Sequence, residues 1–93
     1  MRPPNAFAFE ADSLLKLDSL SIECLQTRSV TTCRKALINA EVLQREAASR
    51  GDYPCQSRLL GLEADLLMLS FDDGRDDSEL TILKEIKLFC RNL

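Results

Sequence analysis

Four cysteines, Cys24, Cys33, Cys55 and Cys90, are the residues of this chain best suited to redox or metal chemistry. They are 9, 22 and 35 residues apart, so no pair has the CxxC spacing of zinc or thioredoxin-like sites. The chain has no histidine, which excludes His-ligated metal sites and imidazole general bases. We predict no metal, no cofactor and no enzymatic activity.

An even number of cysteines permits two disulfides with three possible pairings. Residues 1–10 lack the long apolar run of a secretory signal, and all four cysteines lie on apolar stripes of predicted helices. We therefore expect buried, reduced thiols and a cytoplasmic protein. Cys24 and Cys33 flank a short connection, so a redox switch between them is the alternative.

Glu63 is the acidic residue whose position is most unusual, because it lies between two apolar rows of one predicted helix. A buried carboxyl with a raised pKa would be typical of an acid–base site. No second acid or nucleophile is placed beside it by the sequence. We favour a structural or partner-binding Glu63 that reaches Arg34, Arg45 or Arg58, or that extends to solvent.

The acidic segment at residues 72–78 contains Asp72, Asp73, Asp76 and Asp77. Calcium-binding loops place acids at alternate positions, whereas these are adjacent in pairs with Arg75 between them. We therefore predict a solvated loop, available for protein binding, that ends in a helix N-cap at residue 77 or 78.

Composition favours an all-α protein, because 17 of the 93 residues are Leu while Gly and Pro occur three times each. The length fits one domain, divided into an N-terminal arm at 1–11 and a helical domain at 12–93. The longest apolar run has four residues, which excludes a membrane span.

The arm begins with two prolines, which favour an extended start, and it carries Phe7 and Phe9. These rings either cap the core or dock on a partner. The first helix is predicted over 13–26 with an N-cap at residue 12 or 13, although alternation over 19–24 also fits a strand.

The second and third helices, at about 32–50 and 54–70, form a predicted central antiparallel hairpin around Gly51. The second helix has an N-cap at residue 31 or 32. It carries one Ala-rich apolar face and a separate small patch, Ile38 and Val42. A fourth helix over about 79–92 has one apolar stripe that must dock on the rest of the protein.

The third helix carries two apolar stripes, which means that it packs on two neighbours. The first stripe contains Cys55, Leu59, Leu62, Leu66 and Leu69, and the second contains Leu60, Leu67 and Phe71. Other helices of the same chain can cover both stripes, or a second subunit can cover one of them.

Arg50-Gly51-Asp52-Tyr53, between two amphipathic helices, resembles the turn of a tetratricopeptide hairpin over about 34 residues. The small residue expected after that turn falls on Gln56, and there is no second repeat. The resemblance therefore implies a helical hairpin and not membership of the family.

The net charge of −3, the absence of catalytic groups and the excess of apolar surface indicate a binding protein. We predict a small four-helix adaptor, regulator or inhibitor that binds another protein and forms a homodimer. The candidate surfaces are the Phe7/Phe9 arm, the Ile38/Val42 patch, Glu63 and the acidic loop. The alternative is a dimeric nucleic-acid-binding regulator that uses the basic region 28–58.

Overall fold

Four α-helices, packed in chain order, make up the computed structural model, which describes residues 5–70 and 76–91. They are α1 (Asn5–Thr27), α2 (Val30–Ser49), α3 (Tyr53–Ser70) and α4 (Asp76–Phe89). Side chains are described for 13–69 and 81–91. The all-α prediction and the α2–α3 hairpin are confirmed, and residues 19–24 are helical.

The helix starts and ends follow from capping side chains and one glycine. Ser29 caps α2, where its Oγ accepts a hydrogen bond from the Thr32 backbone N–H, so the prediction of residue 31 or 32 was wrong. Gly51 has φ +73°, as predicted for a helix-ending cap. The backbone N–H of Gly51 donates to the carbonyl oxygen of Ala48, and that of Asp52 donates to the carbonyl oxygen of Ala47. These two hydrogen bonds complete a Schellman motif.

The first helix is longer than predicted. It begins at Asn5, directly after the two prolines, so the expected N-cap at residue 12 or 13 lies inside the helix. Prolines disrupt a helix only when they lie in its interior, and here both precede its first residue. Phe7 and Phe9 therefore lie on helical backbone, and their side chains are outside the described residues.

The core is formed by one apolar face from each helix, and α3 supplies the largest share. Its first predicted stripe, Cys55 to Leu69, is buried along its whole length. The Ala-rich face of α2 packs against it closely, which small side chains permit. On α4, Leu83, Ile86 and Cys90 are buried, as the predicted docking of that helix requires.

Both pairs of cysteines are joined by disulfides, which corrects the expectation of reduced thiols. Cys24 and Cys33 join the end of α1 to the start of α2, and Cys55 and Cys90 join the start of α3 to the end of α4. Apolar position alone does not distinguish a thiol from a disulfide. The antiparallel order of successive helices brings each pair together.

Within the described ranges, no helix is long and apolar enough to cross a bilayer.

Candidate protein-interaction surfaces

A row of polar side chains, which we call the polar seam, runs between α2 and α3. It consists of Glu41, Gln44 and Arg45 on α2 and of Gln56 and Glu63 on α3. Gln56 Nε2 donates to Gln44 Oε1 at 3.0 Å, and Gln44 Nε2 donates to Glu41 Oε1 at 3.1 Å. Arg45 Nε lies 2.6 Å from Glu41 Oε2. The seam thus links the two helices through a continuous chain of hydrogen bonds.

Glu63 shares a hydrogen bond with Glu41 across this seam. Burial, and then the neighbouring Glu41 carboxylate, raise the pKa of Glu63 to about 7. Hydrogen bonding to Arg45 lowers the pKa of Glu41, so Glu41 stays ionised and accepts a hydrogen bond from the protonated Glu63 carboxyl. Glu63 Oε2 is buried without a hydrogen-bond partner, which is consistent with a neutral carboxyl.

The predicted arginine partners of Glu63 are therefore only partly right. Arg45 acts on Glu63 as an attractive charge, but the hydrogen-bond partner is Glu41. Arg58 instead lies 3.7 Å from Glu85 on α4 and stacks 4.1 Å from the centre of the Phe89 ring. The sequence indicates which face of its own helix each glutamate occupies. Whether Glu41 and Glu63 meet depends on the register in which α2 packs on α3.

The second predicted stripe of α3 lies on the surface. Tyr53 is 63% exposed, and Leu60 and Leu67 are each 45% exposed, while Ser57 and Ala64 lie exposed between them. We call these five residues the α3 outer face. It lies about 160° around the helix from the buried stripe at 100° per residue. The apolar side chains of α3 are therefore covered on one side and open on the other.

The spacing along the α3 outer face is 4, 3, 4 and 3 residues, from Tyr53 through Ser57, Leu60 and Ala64 to Leu67. This is the heptad spacing of a coiled-coil seam, and it extends about 21 Å along the axis. Large residues alternate with small ones. A helix that packs on this face can therefore approach closely at Ser57 and Ala64.

The predicted Ile38/Val42 patch is also exposed, at 58% and 60%. It forms one wall of a groove between α1 and α2 with a volume of about 800 Å³. Leu20 on α1 contributes the opposite apolar wall, and Lys16 and Lys35 lie at its rims. We call this feature the α1–α2 groove.

The structure describes only the C-terminal part of the acidic loop. Asp72 and Asp73 lie outside the described residues. Asp76 and Asp77 are the first two residues of α4 on the backbone, so the helix begins one or two residues before the predicted cap. Their side chains are not among those described. Among the described residues, no group of three or more acids and cysteines is arranged to hold a metal ion.

Several cations of the basic region 28–58 are paired with acids on the same or a neighbouring helix. Arg45 pairs with Glu41, and Arg50 pairs with Glu46 at 2.9 Å. These ion pairs reduce the positive charge available to phosphate. The nucleic-acid alternative stays a prediction, and retention of DNA or RNA at low salt would test it.

Comparison of the chain with protein-family models, with curated proteins and with solved structures gives no match.

Proposed function

We propose that this protein is a non-enzymatic protein–protein interaction module that assembles as a homodimer through the α3 outer face. The observation that carries the proposal is the pair of opposite apolar faces on α3, of which the described side chains (13–69 and 81–91) cover only one. Apolar residues on two opposite faces are typical of a helix that packs against a neighbour on each face.

A second copy of the chain fits this face because the face is complementary to itself. In an antiparallel pair centred between Leu60 and Ala64, each of these residues faces the other across the dimer axis, and Ser57 faces Leu67. Each of these layers combines one large and one small side chain, so the two helices keep an even separation between Ser57 and Leu67. A parallel pair would place large on large and small on small.

The oxidation state of the cysteines bears on the cellular compartment of the protein. The cytoplasmic prediction rested on the lack of a long apolar run in residues 1–10 and on the expectation of reduced thiols. The structure instead joins Cys24 to Cys33 and Cys55 to Cys90 by disulfides. Disulfides persist mainly in oxidising environments. We therefore propose an oxidising compartment. Mass spectrometry after rapid alkylation of cells from the native source should find no alkylated cysteine, and four alkylated cysteines would restore the cytoplasmic prediction.

The dimer is tested by light scattering coupled to size exclusion. The wild-type protein should elute with twice the chain mass of 10.5 kDa. The double variant Leu60→Glu/Leu67→Glu should elute as a monomer, because it places four carboxylates in the apolar seam of a dimer. Circular dichroism establishes that the variant remains helical, since both residues are exposed in the single chain.

Leu88→Glu is the control. Leu88 is 63% exposed on α4, compared with 45% for Leu60 and Leu67, so this substitution adds one charge per chain outside the five residues of the α3 outer face. It should leave the dimer intact. A wild-type monomer at about 100 μM, or a double variant that still dimerises, would contradict the proposal.

A further inference from the structure

The α1–α2 groove is a second surface, separate from the α3 outer face. Its α2 wall is formed by Lys35, Ile38, Asn39 and Val42, which are spaced as one face of two helical turns. Lys16 and Leu20 lie on the facing side of α1. Two antiparallel helices thus form a concave apolar channel with neutral walls and cationic rims.

The charge around the groove is opposite to that of the chain as a whole. The protein carries a net charge of −3, yet both charged residues that line the groove are lysines. Glu41, the acid nearest to Val42 in sequence, pairs with Arg45 on another face of α2. A ligand that places carboxylates at the rims therefore meets complementary charge.

We propose that the α1–α2 groove binds an amphipathic helix of another protein, with an apolar ridge that contacts Leu20, Ile38 and Val42 and with Glu or Asp beside that ridge at Lys16 and Lys35. A third helix in the groove of an antiparallel pair recreates the packing of a helical bundle. Its apolar anchors recur at i, i+4 and i+7, which matches the two turns that α2 presents.

The openness of the groove favours a helix over a small amphiphile. Ile38 and Val42 are more than half exposed, whereas small-molecule sites bury most of the ligand. A concave surface with two lysines on an acidic protein also differs from a polybasic membrane-binding surface. This inference does not rest on the homodimer, because α1 and α2 carry the groove and α3 carries the dimer surface.

The test uses two fluorescein-labelled helical peptides of about 16 residues with leucines at i, i+4 and i+7. One carries Glu beside the leucines and the other carries Lys. Fluorescence anisotropy with the full chain should give micromolar binding of the Glu peptide and weaker binding of the Lys peptide. Ile38→Asp should lower the affinity for the Glu peptide by a factor of about ten or more, because it places a charge on the apolar wall of the groove.

Charge reversal distinguishes charge-specific recognition from non-specific hydrophobic binding. Lys16→Glu/Lys35→Glu should lower the affinity for the Glu peptide about fivefold and raise the affinity for the Lys peptide by a similar factor. The single reversals Lys16→Glu and Lys35→Glu are compared with Lys84→Glu, which reverses one exposed lysine on α4 outside the groove. Lys84→Glu should leave the affinity of both peptides nearly unchanged.

Three outcomes would overturn the proposal. The first is that the Glu peptide and the Lys peptide bind the wild type with equal affinity and that neither affinity changes in Lys16→Glu/Lys35→Glu. Another is binding of dodecanoate that depends on Ile38 when neither peptide binds, which would make the groove a lipid site. The third is loss of the wild-type dimer in Ile38→Asp, which would assign the groove to a second copy of the chain.

Discussion

Replacing Glu63 with glutamine should remove a pH dependence from the stability of this protein. The folded protein raises the pKa of Glu63 from 4.5 to about 7, through burial and the neighbouring Glu41. The folded state therefore holds more protons at this site than the unfolded state between these two pH values. The free energy of unfolding must then fall as pH rises through this window.

The size of the effect follows from the same shift. A pKa difference between 4.5 and about 7 corresponds to roughly 3 kcal/mol at 1.36 kcal/mol per pKa unit. Glu63 is only partly buried, so solvent screening reduces this to about 1–2 kcal/mol. Glu63→Gln replaces the O–H donor of the protonated carboxyl with an N–H donor to Glu41 and cannot ionise. It should be about as stable as the wild type at pH 4.5 and about 1–2 kcal/mol more stable at pH 8.

The assay is urea denaturation monitored by circular dichroism at pH 4.5, 6 and 8, at one fixed protein concentration because the chain is proposed to dimerise. Glu46→Gln is the control, since Glu46 is an exposed glutamate of α2 that pairs with Arg50. It removes one negative charge without touching the polar seam. A difference between Glu63→Gln and the wild type that is the same at all three pH values would refute the reasoning.

Three further variants test the backbone and the Cys55–Cys90 disulfide. Cys55→Ser/Cys90→Ser opens a loop closed across 35 residues and should lower the free energy of unfolding by roughly 4 kcal/mol, measured by urea denaturation. Gly51→Ala should lower it by about 1 kcal/mol, because alanine is strained at φ +73°. Gly61→Ala should raise the melting temperature. Its Cβ would lie 3.4 Å from Ile82 Cδ1, an ordinary contact, and alanine favours the helix by roughly 0.5–1 kcal/mol. A lower melting temperature for Gly61→Ala would show that α3 and α4 cannot accommodate a methyl group there.

Local signals in the sequence were enough to predict most of the architecture. Gly51 needs a left-handed conformation, and the apolar spacing on either side of it has helical periodicity, so the central hairpin follows from short-range physics. The start of α1 could not be located in the same way. Two prolines favour an extended chain by themselves, but they are also compatible with a helix that begins just after them.

The disulfides and the polar seam depend on tertiary packing. Cys24 and Cys33 lie on either side of one tight turn, so their proximity was predictable even though their oxidation was not. Cys55 and Cys90 meet only because α4 runs antiparallel to α3. The meeting of Glu41 and Glu63 likewise depends on the register of α2 on α3, which no local pattern in the sequence specifies.

The α3 outer face was visible in the sequence as a second apolar stripe, and the structure shows that the chain leaves Leu60 and Leu67 exposed. Neither periodicity nor composition identifies what would cover them, so the homodimer stays a proposal. The alternation of large and small residues along this face is the feature that favours another copy of the same chain.

Isotope-filtered NMR on an equal mixture of labelled and unlabelled protein tests the antiparallel α3 pairing most directly. The filter detects only contacts between different copies. We predict intermolecular nuclear Overhauser effects between the methyl groups of Leu60 and Ala64, and between Leu67 and the side chain of Ser57. Intermolecular signals that involve none of these residues, or no intermolecular signal at millimolar concentration, would contradict the account.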